Sequence, residues 1–155
     1  MGNDGPQLYD VLTRAAQHKG TALIEIFTNC VIFNDGAFDQ YTENKAEQQL
    51  RMVSGQPLRF GKDGDKGLAI DSHGRPTIVA GDAPNVLIHD EQSDALSFLL
   101  ARLNPPEFPM SFGVFRDVSR PAYEQLAGDQ IAYAKSKKKA DLQALLSSGE
   151  TWEVK

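Results

Sequence analysis

Cysteine is nearly missing from this chain of 155 residues, with Cys30 its single thiol. That excludes an internal disulfide framework and any Cys-x-x-Cys zinc or redox pair. Basic charge is in deficit, with 16 Lys and Arg against 21 Asp and Glu, and the clustered cations are confined to Lys135, Lys137, Lys138 and Lys139. Nucleic acid is therefore not an expected partner. Long apolar runs are absent too, so no segment is expected to span a bilayer. No basic leader followed by an apolar stretch comes after Met1, and the expected setting is cytoplasmic. A Gly-x-Ser-x-Gly elbow and a phosphate-binding Gly-rich loop opening a helix are both missing, which removes serine hydrolase and P-loop chemistry.

What is there is organised around residues 20–38, GTALIEIFTNCVIFNDGAF. Upstream, Leu8, Val11, Leu12, Ala15 and Ala16 recur at helical spacing between Pro6 and Gly20, which predicts an amphipathic helix. The run Ala22-Leu23-Ile24-Glu25-Ile26-Phe27 then reads as a strand covered on both faces, as in a parallel sheet. Cys30 follows at the carboxyl end of that strand, where open α/β sheets display their ligands. A helix feeding a buried strand is the closing unit of a βαβ layer, yet no earlier strand precedes it in this chain.

Residues 43–52 predict a polar, exposed helix with a thin stripe of Ala46, Leu50 and Val53. Leu58 to Phe60 and Leu68 to Ile70 predict two strands joined by a glycine-rich turn, with Arg75 to Val79 as a third. The change of character places a boundary near residue 55. Val86-Leu87-Ile88 reads as a short buried strand delivering His89-Asp90-Glu91 to a helix capped by Ser93. Residues 111–118 return to strand composition. Pro121 opens a further helix, and Asp141 caps a last one, which ends before Gly149.

Among the side chains that carry chemistry, Cys30 alone reads as a small buried apolar residue, the usual state of a free cysteine. Asn29, Asn34 and Asp35 flank it and suit side-chain to backbone bonds that orient a loop. Glu25 needs a partner if buried and otherwise faces the rim of the sheet. His18 at a helix C-terminus is explained by the dipole, and His73 by a turn. His89-Asp90-Glu91 favours helix capping and surface polarity over catalysis, because no second histidine stands at ligand spacing. The lysine run reads as a solvated linker.

Taken in order, Glu25-Ile26, Asn29-Cys30, Phe33-Asn34-Asp35-Gly36, Phe60-Gly61, His89-Asp90-Glu91, Gly113-Val114-Phe115-Arg116 and Arg120-Pro121 carry a resemblance. The chain resembles the C-terminal half of the beta subunit of 2-oxoacid:ferredoxin oxidoreductases, most of all the 2-oxoglutarate branch. The resemblance implies an α/β fold in which residues 1–55 end a thiamine-diphosphate-binding parallel-sheet domain and residues 56–155 form a small α+β extension. It implies that Cys30 is the fourth ligand of a [4Fe–4S] cluster, with the other thiolates in the missing N-terminal half. Asn29, Asn34 and Asp35 would lie on the cofactor side. Thiamine diphosphate, Mg²⁺, coenzyme A, ferredoxin and an alpha subunit are the implied cofactors and partners. In such enzymes a 2-oxoacid is oxidatively decarboxylated to acyl-CoA with electrons passing to ferredoxin. The family's acidic Mg²⁺ motif has one look-alike here, Asp63-Gly64-Asp65, which falls in the predicted hairpin turn and reads as a solvated turn. No catalytic residue is assigned, and the chain alone is expected to be inactive. The competing readings are a non-enzymatic interaction module with an inert Cys30, and half of a naturally split enzyme.

Overall fold

The computed structural model describes residues 2, 4–137 and 140–154. It divides into two compact units, residues 1–119 and residues 120–155.

The first unit opens with helix α1 (Gly5–Gln17), where Asp4 caps the end by accepting from Gln7 N and Pro6 occupies the first turn. The Pro6 signal was legible, since Pro is tolerated where its missing N–H has no helical partner, whereas the Asp4 cap was not singled out from the sequence. The strand expected over residues 22–27 does not form. Residues 21–29 have no assigned helix or strand, and their backbone hydrogen bond among the described residues is Gly2 N donating to Phe27 O at 2.8 Å. The physical reason is the absence of a neighbour: an apolar run becomes a strand only when another backbone satisfies its N–H and C=O groups. Leu23 is accordingly 90% exposed rather than buried.

The helix expected over residues 43–52 is also corrected. Short helices α2 (Asp39–Glu43) and α3 (Lys45–Gln48) give way to strand β1 (Gln49–Arg51). Leu50, placed by periodicity on the thin apolar stripe of that helix, is fully buried on a strand instead. Strand β1 pairs in parallel with β5 (Met110–Phe112), Leu50 opposite Ser111. That long-range pairing overrides the local helical period. Of the strand expected over residues 111–118, only Ser111 and Phe112 are assigned as strand, with Met110 ahead of them.

The hairpin region forms as read. Strands β2 (Arg59–Phe60), β3 (Lys66–Ile70) and β4 (Pro76–Ala80) make an antiparallel sheet in that order, with a 3₁₀ turn at Lys62–Gly64. Residues 86–88 contribute less than a strand, namely an isolated bridge between Ile88 and Pro57. Even so, Leu58 N donates to Leu87 O, Leu87 N to Leu68 O and Leu68 N to Leu58 O, a closed ring that binds the three segments. Gly67 allows this approach, since a Cβ there would overlap the Val86 side chain. Helix α4 (Asp94–Ala101) is capped by Ser93 Oγ, which accepts from Leu96 N.

The core joins these elements. Leu50, Met52, Leu58, Phe60, Leu68, Leu100 and Leu103 form one cluster, with Leu87, Leu96, Leu99, Phe108 and Phe115 packed on it. Burying one such leucine is worth about 2 kcal/mol.

The second unit contains α5 (Tyr123–Lys137) and α6 (Leu142–Leu146), the latter capped by Asp141, which accepts from Ala144 N at 3.0 Å. Lys135 and Lys137 lie in α5 rather than in a linker, and Lys137 Nζ stands 4.9 Å from the Tyr133 ring centroid one turn back. Lys138 and Lys139 lie outside the described residues. No helix among the described residues is long and apolar enough to cross a membrane.

Candidate functional site

Two groups of side chains stand out in the first unit, and neither is where local pattern alone would put it. The first surrounds Cys30, whose thiol is exposed, so the buried, inert cysteine expected from residue statistics is corrected. The cause is the same unpaired segment: with no strand beside residues 22–27, the loop at its end stays in solvent.

That loop is nevertheless shaped. Asn34 N donates to Cys30 O at 2.8 Å and closes a tight turn. Across its base, Asn29 Nδ2 donates to Asp35 Oδ1 at 2.8 Å while Gly36 N donates to Asn29 Oδ1 at 3.0 Å. Asn29 and Asp35 thus clasp the two sides of the cysteine turn, the use their residue types favour. The backbone N–H groups of Phe33 and Ile32, and then of Asn34, hold the Cys30 thiol below the ordinary cysteine range. Thiolate is the nucleophilic and metal-ligating form. Behind the loop, Phe27 stacks on Phe38 at 5.1 Å between centroids and meets Phe112 edge-on at 5.8 Å. The aromatic contacts fix the stem of the loop against the core.

The second group joins residues far apart in sequence. Arg14 on α1 donates from Nη1 and Nη2 to the two oxygens of Glu91, at 2.8 and 2.5 Å. Nη2 also reaches Asp117 Oδ2 at 3.0 Å, and His18 Nδ1 stands 3.0 Å from Asp117 Oδ1. Glu91 pairs first and Asp117 next to hold the Arg14 guanidinium above even its usual range, against the effect of burial. In return Arg14, then His18, hold the Asp117 carboxyl below the usual carboxylate range. Bidentate guanidinium–carboxylate geometry gives direction as well as strength.

His89-Asp90-Glu91 is therefore not the surface group that the sequence favoured. His89 and Glu91 are buried. The His89 ring places Nε2 2.8 Å from Val114 O, so Nε2 carries the proton, and its main chain exchanges bonds with Gly55 and Gln56. Asp117 N donates to Glu91 O. Asp90 Oδ1 accepts from Gln92 N and turns the chain ahead of α4, whose cap is Ser93, so none of the three side chains caps the helix as expected. The segment from His89 to Glu91 thus meets the segment from Gly113 to Arg116, and Arg116 pairs with Asp94 at the start of α4. Arg14 and Asp117 were missed. The available signal was Arg14 and His18 four apart on the face of α1 that carries Val11 and Ala15, two basic side chains inside an apolar stripe that call for acidic partners from elsewhere in the chain.

Glu25 is exposed, but on a segment that joins no sheet, so the rim expected for it is absent; His73 lies in an exposed turn with its N–H donating to Asp71 Oδ1, and Asp63-Gly64-Asp65 occupies the hairpin turn, both as read. Asn34 presents its side chain to solvent. Among the described residues no group of three or more His, Cys, Asp or Glu side chains is placed to hold a metal ion.

No family model matches the chain. No solved structure matches it. Among curated proteins it is similar to the 2-oxoglutarate oxidoreductase subunit KorB of Mycobacterium tuberculosis (strain ATCC 25618 / H37Rv), at 35% identity over 163 aligned residues. The match takes in 99% of this chain and 44% of that protein, so the chain spans less than half the length of its relative. The resemblance first read from scattered motifs therefore extends along essentially the whole chain, as a likeness to part of the KorB subunit of a 2-oxoglutarate oxidoreductase.

Proposed function

We propose that this chain is the C-terminal part of the beta subunit of a 2-oxoacid:ferredoxin oxidoreductase acting on 2-oxoglutarate. The observation that carries the reading is the 35% identity to KorB along 99% of the chain. In this reading residues 1–55 end the thiamine-diphosphate-binding domain, residues 56–155 extend it, and the complex works in the cytoplasm with an alpha subunit.

Cys30 supplies one thiolate of a [4Fe–4S] cluster in this proposal. The residues fit that part: the thiol is open to solvent and backbone amides favour its ionised form. They fit no more than one of four positions, because the chain has a single cysteine. Asn29 and Asp35 hold the cysteine turn in shape, and Asn34 closes it. Asp63-Gly64-Asp65 does not fit Mg²⁺ and a diphosphate, since it forms a tight 3₁₀ turn between hairpin strands. Those groups belong with the part of the subunit outside this chain. When bound, thiamine diphosphate supplies the electron sink for decarboxylation and the cluster supplies one-electron transfer.

The test is to assemble this chain with the remainder of the subunit and the alpha subunit, and to measure 2-oxoglutarate- and coenzyme-A-dependent reduction of ferredoxin. Turnover by the assembly and none by the chain alone is expected. An assembly equally active without this chain would sink the reading.

A further inference from the structure

Helix α1 is attached to the first unit in an unusual way. None of its residues is buried, and Leu8, Val11 and Ala15 on its inner face are only half-buried. Beneath it lies a cavity of about 580 Å³, bordered by Val11, Ile24, Leu103, Met110, Phe112 and Phe115. An inner face that leaves such a space contributes little packing, because dispersion contacts vanish across even a small gap.

Besides the backbone bond from Gly2 N to Phe27 O just ahead of the helix, the firm attachments are ionic and sit at its two ends. At the start, Asp4 pairs with Arg51 on β1. At the end, Arg14 grips Glu91 and Asp117, and His18 meets Asp117. Beyond α1, residues 19–29 have no helix or strand to stiffen them. The next firm point is Phe27, held apolarly between Phe38 and Phe112.

We propose that residues 4–27 form a strap, latched by ion pairs at both ends of α1 and pivoting at Phe27, that opens and closes over this cavity while the core stays folded. The two anchors respond to different forces. Added salt weakens the latch through its solvent-accessible members, Arg51, Arg14 and Asp117, screens the contact with buried Glu91 less, and leaves the aromatic pivot intact. Opening therefore uncovers the cavity and swings residues 21–26 away, with the Cys30 turn still fixed by Phe27. The inference stands on this chain's geometry and holds whether or not Cys30 ligates a cluster.

Amide hydrogen exchange of the intact chain, read by mass spectrometry at about 0.05 M and about 1 M NaCl, tests it, since the screening length falls to about 3 Å at the higher salt. Peptides from α1 are expected to exchange about tenfold faster at high salt, while peptides from β3 and α4 keep their protection. Arg14→Gln at low salt should reproduce the high-salt pattern. If that variant fails to fold, the wild-type salt series decides alone. Protection of α1 that is equal at both salt concentrations, or that is lost only together with β3, overturns the proposal.

Discussion

At the scale of single residues, Cys30 and Arg14 show opposite kinds of legibility. The surroundings of Cys30 are local: Asn29, Asn34, Asp35 and Gly36 lie within a few positions, and their loop-forming use could be read from residue type. Its exposure could not, because burial depends on a neighbouring strand that the chain does not provide. An exposed thiol whose ionisation is favoured by Phe33, Ile32 and Asn34 amides should be alkylated in the native protein at neutral pH at least as fast as in a short unstructured peptide. Iodoacetamide labelling followed by mass spectrometry checks this, and a thiol that reacts only after denaturation would refute it. Arg14 belongs to the other kind, since Glu91 and Asp117 are distant in sequence and no periodicity announces a pairing between them. Asp117 is held low by Arg14, then His18. Asp4 is raised by burial but brought net low by the Arg51 side chain, the Gln7 N–H and the more distant charge of Lys45. A carboxylate whose folded pKa is depressed contributes stability above its unfolded value, and loses it as pH falls through the folded one. Detachment of α1 is thus expected below the ordinary aspartate value of about 3.9, and not between pH 5 and 7 on account of these groups. Exchange protection of α1 amides across an acid series measures it, and protection persisting below pH 2 contradicts it.

Elements were legible wherever their signals were local. Helix α1, the hairpin with its glycine turn, the Ser93 cap of α4 and the Asp141 cap of α6 all follow from caps and punctuation that act within a few residues. Strand β1 was misread because Ala46, Leu50 and Val53 happen to match a helical period, whereas its parallel partner β5 lies far along the chain. Residues 22–27 were misread for the converse reason, since their composition asks for a strand and no partner answers. The hairpin is also where substitutions should cost most. Leu68→Ala, at a fully buried position whose main chain joins the ring with Leu58 and Leu87, should lower unfolding free energy by about 3 kcal/mol in urea titration. Gly81→Ala should cost about 3 kcal/mol as well, because the new Cβ would run into the backbone carbonyl of Gly64. Values under 1 kcal/mol at both sites would mean that this sheet is not part of the cooperative core.

Across the whole molecule, strongly exposed apolar side chains occur in both units: Leu23, Val31, Ile32 and Phe33, each at least 75% exposed, lie on and beside the unpaired stretch of the first unit, and Tyr123, Trp152 and Val154 are as exposed in the second. Contiguous apolar surface of this kind marks a place where other chain packs. The match to KorB takes in 44% of that protein, so more than half of the relative has no counterpart in this chain. The acidic balance of −5 offers no reason for nucleic acid to be that cover. The most direct test of the account is the iron content of the assembled oxidoreductase carrying this chain, compared between wild type and Cys30→Ser at equal subunit stoichiometry. The serine variant is expected to assemble but to lose iron and the visible absorbance of the proposed cluster. Unchanged iron and absorbance in the serine variant would contradict it.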